Sequence, residues 1–334
     1  MENSKKSDRA EIFGDLAQIA IAKHLEKMLV RETGVLADRD PEELHQMRVS
    51  MRRLRSAITG FAPALNLPKT ASDRNLKKIA RILGNLRDLD VLEAEFKTQY
   101  RPLLPEAEQK SLDKVLKNLE KKRKIAYKEV KKTFKKQKYK YLKKDLNRWV
   151  KKPRYKKIGN VSLEEVLPDL LLPQVSKLLL HPGWWLGIKQ GEPSSLAGVE
   201  GVLEREAEIL HNLRKEAKRS RYNMDLFTEF YGDRYQKYVK KIKNIQEVLG
   251  EIQDCYILGE FLAEIFGIKL EEKLPTLTKL LAEKRYQKWL EWLEIQQEFL
   301  KTQTRQDLRS AVQYPQPQNK KGFPILNHSK AEIG

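Results

Sequence analysis

The chain has 334 residues, 40% hydrophobic and 34% charged, which is enough apolar content for two ordinary domains or one duplicated one. No apolar run approaches the roughly 20 residues of a membrane span; MENSKKSDRAEIF at the N-terminus lacks a secretory apolar segment. The lone Cys255 excludes an intrachain disulfide framework and suits a cytoplasmic protein. The formal charge is +20, and residues 1–160 hold the whole excess with 41 basic against 21 acidic side chains. Such a field attracts nucleic acid, anionic membrane or polymeric phosphate alike.

Almost every segment reads as helix. Over 9–33, Ile12, Leu16, Ile19, Ala20, Leu25 and Leu29 recur at helical spacing, with Gly34 as the predicted stop. A new start follows, with Asp40 as N-cap, Pro41 at the first helical position, and Glu42 and Glu43 beside the positive helix end. Further helices are predicted near 70–97, 106–134, 137–151, 163–180, 200–230, 233–265 and 274–301. Strand-like alternation is nearly absent. Pro and Gly gather in HPGWWLGIKQGEPSS at 181–195, the predicted connection between two halves. The polar, Pro-containing stretch 313–334 reads as a disordered tail.

Two motifs occur twice. ELHQMRVSMRRLRSA at 43–57 places His45, Arg48, Arg52, Arg53 and Arg55 in one run without an acid. ILHNLRKEAKRSRYN at 209–223 places His211, Arg214, Lys218, Arg219 and Arg221 at the same spacing, 166 residues later. LGNLRD at 83–88 and LGEIQD at 249–254 share that offset. The common offset predicts an all-α fold of two tandem helical bundles, 1–160 and 161–312, related by a pseudo-twofold axis.

On a helix, His45, Arg48, Arg52 and Arg55 form a stripe beside the apolar stripe of Leu44, Met47, Met51, Leu54 and Ile58. A purely solubilising face lies opposite the apolar one and mixes signs. One copy alone reads as a solvated face with a packed histidine; two copies in register favour an anion site gripped from both sides. Arginine offers a planar fork to phosphate oxygens and lysine a point charge. Lys77 and Arg81 share a stripe with Gly84 and Asp88; Lys243 matches Lys77, while Glu247 stands opposite Arg81. Gly84 and Gly250 predict close helix–helix approach, and Asp88 and Asp254 read as carboxylates that orient an arginine or form core ion pairs. His24, His181 and His328 fall outside the repeats.

These four segments resemble the signatures of the CHAD family, the conserved-histidine alpha-helical domain, over about residues 10–300. The resemblance implies a central basic cavity that binds inorganic polyphosphate; the sequence itself shows no P-loop, nucleophile elbow, paired acid–base carboxylates or matched metal-ligand set, so no catalysis, cofactor or metal is expected. It points to His45, Arg48, Arg52, Arg53, Arg55, Arg87, His211, Arg214, Lys218, Arg219 and Arg221 as contacts; Lys77, Arg81 and Lys243 join them from the stripe. Gln253 departs from the Arg or Asn usual before the second motif's Asp. Granule association is left open. Two other classes remain: a nucleic-acid-binding helical protein, although no helix-turn-helix, zinc-finger or RNA-recognition signature is present, and a phosphohistidine or metal-dependent phosphotransferase using His45 and His211. Residues 117–157 add 20 basic against three acidic side chains on packed helices. They read either as a solvated face or as an external face that gathers polyanion.

Overall fold

The computed structural model describes residues 12–188 and 195–315. Its helices are α1 (Phe13–Val30), α2 (Glu32–Ala37), α3 (Pro41–Gly60), α4 (Asp73–Glu95), α5 (Glu106–Lys135) and α6 (Gln137–Lys151), then α7 (Leu163–Leu179), α8 (Leu196–Asp225), α9 (Asp233–Phe266), α10 (Leu270–Lys273), α11 (Pro275–Leu300) and α12 (Thr302–Gln313). The fold is all-α: among the described residues strand pairing is limited to the isolated bridges Ile12–Ser162 and Leu65–Tyr155.

Local chemistry accounts for the helix that carries the first basic run. Asp40 accepts a hydrogen bond from the Glu42 amide at 2.8 Å, Pro41 follows, and Glu42 and Glu43 occupy the first turn of α3. Leu44, Met47, Met51, Leu54 and Ile58 are all buried, so the apolar stripe drives α3 against α1 and α4.

The same packing order recurs in both halves. In the first, α1 packs on α3, α3 on α4, α4 on α5, and α6 on α1; in the second, α7 packs on α8, α8 on α9, α9 on α11, and α12 on α7. Two apolar contacts join the halves. At the ends of α3 and α8, the Phe61 and Phe227 rings meet edge-on at 5.1 Å, two residues that share the 166-residue offset. At the other end, Phe96, Tyr100, Leu112 and Leu119 form one cluster with Leu258, Leu262, Leu277 and Leu281. Glu108, itself buried, reinforces that end by accepting from the amides of Thr276 and Leu277 at 3.0 and 3.2 Å, at the N-terminus of α11.

Several boundaries differ from the sequence-based expectation. Gly34 does not stop the first helical region; it lies inside α2, where an added Cβ would sit 2.5 Å from Glu43 Cγ. Helix α1 ends earlier, at Val30 with Arg31 as its cap, and α2 ends at Asp38, which adopts φ 52° and is held by Arg123 at 2.7 and 2.8 Å. Helix α12 was not expected, because Thr302–Gln313 has few apolar residues; Leu308, Ala311 and Val312 are the ones that bury against α7. Part of the predicted connection is packed, with Trp184 stacked on Phe299 at 5.2 Å, while 189–194 lies outside the described residues. The predicted tail begins with the end of α12, and 316–334, including His328, lies outside the described residues.

Glu108→Ala removes two charge-assisted hydrogen bonds to orphan helix amides and should lower stability by about 2 kcal/mol. Urea unfolding followed by circular dichroism measures this, with Glu108→Gln expected to lose less.

Candidate functional site

The charged stripes of α3 and α4 meet those of α8 and α9 along the seam between the two joining contacts. The Arg52 guanidinium, from the first half, lies over the ring of Tyr222, from the second, at 4.7 Å. Arg221 approaches the same ring at 5.0 Å. One tyrosine thus holds two like charges, each attracted to the ring's electron-rich face. Its counterpart 166 residues earlier is Ser56, so this bridge exists once.

The motif glycines have a different purpose from the expected helix–helix approach. A Cβ on Gly84 would fall 2.5 Å from a terminal nitrogen of Arg48, and one on Gly250 would fall 3.2 Å from Arg214 Nε. Arg48 and Arg214 are repeat equivalents, and each rests its guanidinium on its own glycine. Arg48 also reaches Asp88 at 3.5 Å.

Electrostatics tie the seam together. Burial pushes the Lys218 amine down to about 8, helped by Arg214, Arg52 and Arg48 and opposed by Asp88. Burial likewise lowers Arg48 and Arg52. The Asp88 carboxyl is raised mainly by the protein around it, and Arg48, Lys218, Arg214 and Arg87 counteract the rise. Yet 69% of its side chain is solvent-accessible, so Asp88 is surrounded but open, as a group lining a recess would be. Asp254 is raised for the same first reason, with Arg214 and Lys284 opposing and Asp88 adding to the rise. Among the described residues, the buried Nε atoms of Arg52, Arg87 and Arg214 have no hydrogen-bond partner.

The remaining predicted residues divide. Arg55 is paired with Asp73 at 2.9 Å, Arg219 with Glu216, and Arg221 with Asp225 at 3.3 Å and Gln246 at 3.1 Å. Lys243 is paired with Glu247, the acid at the position matching Arg81, at 3.1 Å. Lys77 and Arg81 are exposed on α4; Arg53 is exposed and near enough to His24 to help lower it to about 4, after burial. His45 is half-buried on α3. His211 hydrogen-bonds Gln253, and burial, Lys215 and Arg214 lower its pKa, leaving it neutral at pH 7. Gln253 therefore serves a histidine at the position where the first half has Arg87. His181 caps Gly183 at 3.1 Å. His211 and Gln253 also line a pocket of about 90 Å³ with mainly apolar walls, where Glu200, Glu204 and Arg285 are the charged residues. Tyr222 and Lys284 were not singled out from sequence: neither repeats at the 166-residue offset, and their partners are distant along the chain.

The all-α architecture and the duplicated basic helices define a class of protein that comparisons make specific. The model of the CHAD domain matches residues 19–263, and the chain belongs to that family. The CHAD domain from the plant Ricinus communis is similar in structure, with TM-score 0.55, 21% identity, and coverage of 92% of this chain and 94% of that one. PptA from Streptomyces chartreusis aligns with TM-score 0.61 and 11% identity, over 86% of this chain and 99% of that one. Uncharacterized proteins from two strains of Mycobacterium tuberculosis, CDC 1551 / Oshkosh and H37Rv, are 32% identical over 88 residues, 26% of this chain. The match spans 17% of the length of those curated relatives.

Lys218 should titrate near pH 8 in the free protein. Asp88→Asn removes the carboxylate that supports its charge, so the amine should titrate lower still. NMR of isotopically methylated lysines, with Lys218→Arg identifying the resonance, measures both.

Proposed function

We propose that the seam is a basic central cavity, formed by two bundles related by a pseudo-twofold axis, and that it binds inorganic polyphosphate without transforming it. The observation that carries this reading is the meeting of Arg48 and Arg52 from one half with Arg214 and Lys218 from the other, with Asp88 and Asp254 as the carboxylates facing them. Gathering like charges costs free energy that a polyanion would recover. Arginine forks and a lysine from two sides suit a narrow phosphate chain with oxygens on all sides. Membership of the CHAD family supports the same reading. Asp88 and Asp254 orient cations and leave the chain to the arginines. Neutral His211 can donate its one N–H to a phosphate oxygen, and His45 takes the matching place in the first half.

A nucleic-acid duplex is the second reading for the whole protein, since basic helices attract it; a grip from both halves suits a thin chain better than a duplex, which presents its phosphates on an outer surface. Phosphotransfer through His45 or His211 would leave labelled phosphate on the protein after incubation with labelled polyphosphate; none is expected.

Arg52→Ala combined with Lys218→Ala should weaken binding of short polyphosphate at least about tenfold, since about 1.4 kcal/mol gives that factor and each lost contact is charge-assisted. Calorimetric titration measures it, with circular dichroism checking that helix is retained. Undiminished binding would contradict the assignment.

Binding should also weaken as pH rises. Below about pH 8 Lys218 is already charged; above it, a proton must be taken up when the polyanion binds. One proton linked to binding makes affinity fall by up to about tenfold per pH unit above that point. Titrations between pH 7 and about 9.5 test this, and Lys218→Arg should remove the step.

A further inference from the structure

The outer face of α5 and α6 carries charge that the fold does not require. From Glu106 to Lys151 there are 18 basic and six acidic side chains. Helices α11 and α12 take the matching packing places, on α9 and α7, yet Pro275–Gln313 holds seven basic and five acidic ones. The same arrangement therefore packs without a lysine excess. Residues 117–157 alone supply 17 of the 20 net positive charges of the chain.

The excess is ordered. Lys117, Lys121, Lys124, Lys128, Lys131 and Lys135 recur every three or four residues along α5, and all are exposed. At 1.5 Å per residue they form a stripe about 27 Å long. Lys140, Lys144, Arg148 and Lys151 repeat the pattern on α6. Lys117, Lys121, Lys128 and Lys135 make no ion pair among the described residues, unlike Arg123, which Asp38 and Asp90 hold at 2.7 Å.

The shape of this face selects among polyanions. It is the outside of packed helices, so it contacts a partner from one side and cannot enclose a thin chain. A bilayer would need an apolar wedge. The apolar side of these helices is spent in the core, at Leu119, Val130, Leu142 and Leu146 for example, leaving Ile125 and Tyr141 as the large apolar side chains exposed on them. A single nucleic-acid strand would need aromatic platforms for its bases; Tyr127 lies beneath Lys131 at 4.3 Å and Tyr139 is stacked on Phe134 at 4.8 Å. A stripe made almost wholly of lysine ammonium groups, with Tyr141 the one exposed aromatic among the described residues of α5 and α6, suits evenly spaced backbone phosphates.

We propose that the outer face of α5 and α6 docks the phosphate backbone of double-stranded nucleic acid without reading its sequence. The stripe matches about eight base pairs at 3.4 Å each. This surface is separate from the seam between α3 and α8, so it does not depend on the polyphosphate reading.

The test is fluorescence anisotropy of a random-sequence DNA duplex of about 20 base pairs, titrated at several salt concentrations between about 50 and 200 mM. Changing Lys117, Lys121, Lys128 and Lys135 together to Gln should lower the slope of log affinity against log salt by about three to four, at roughly 0.9 per phosphate contact. It should leave binding of tripolyphosphate unchanged. The same four positions changed to Arg should retain duplex binding, and so should Arg52→Ala with Lys218→Ala. Absence of duplex binding by the unmodified protein at low salt would overturn the proposal. So would an unaltered slope in the Gln variant, loss of duplex binding in the Arg52/Lys218 variant instead, or tighter binding to phosphatidylserine vesicles or a single strand than to the duplex.

Discussion

The seat that each motif glycine provides for an arginine is the constraint on which the site depends. Arg48 sits against Gly84 and Arg214 against Gly250; a Cβ at Gly84 would displace the Arg48 guanidinium, and one at Gly250 would press on Arg214 at 3.2 Å. Glycine inside a helix costs about 1 kcal/mol relative to alanine, and here the absent side chain sets where the charge lies. The guanidinium of Arg48 rests between α3 and α4, and that of Arg214 between α8 and α9. Each half thereby presents a cation at a fixed height along its basic helix.

Fixing cations in this way creates a debt of repulsion that the rest of the fold must offset. Burial lowers the Lys218 pKa, and repulsion from Arg214, Arg52 and Arg48 lowers it further. The halves are held together elsewhere: by Phe61 against Phe227, by the cluster around Phe96 and Leu262, and by Glu108 on the first amides of α11. Within the seam, Tyr222 draws Arg52 and Arg221 to one ring, and Asp88 and Asp254 neutralise part of the field. Apolar and capping contacts at the two ends thus permit a charged stretch between them that could not hold itself together. The separation also explains why the charge of α5 and α6 is a distinct matter, since those lysines face outward and repel one another through water.

Much of this was legible in the sequence because duplication writes the same constraint twice. One basic helix is ambiguous, but His45 to Arg55 matched by His211 to Arg221, together with LGNLRD and LGEIQD, fixed attention on residues that do converge: Arg48, Arg52, Arg214, Lys218, Asp88 and Asp254. The recurrence of glycine was readable too, although its reason was not, since spacing alone cannot distinguish a close helix from a lodged guanidinium. What breaks the repeat was hidden. Tyr222 bridges to a helix 170 residues earlier, Gln253 replaces an arginine in order to serve His211, and Glu108 caps a helix that begins 167 residues later. Helix α12 escaped because its apolar stripe is short, only Leu308, Ala311 and Val312, and becomes evident once these residues pack in the fold.

The central claim is that the seam between α3 and α8 grips a phosphate chain from both halves. A crystal structure determined with a medium-length polyphosphate tests it most directly. The account predicts phosphate oxygens within about 3 Å of Arg52, Arg214 and Lys218 together, with Arg48 still resting on Gly84. Phosphate density confined to the outer face of α5 and α6, or to one half alone, would contradict it.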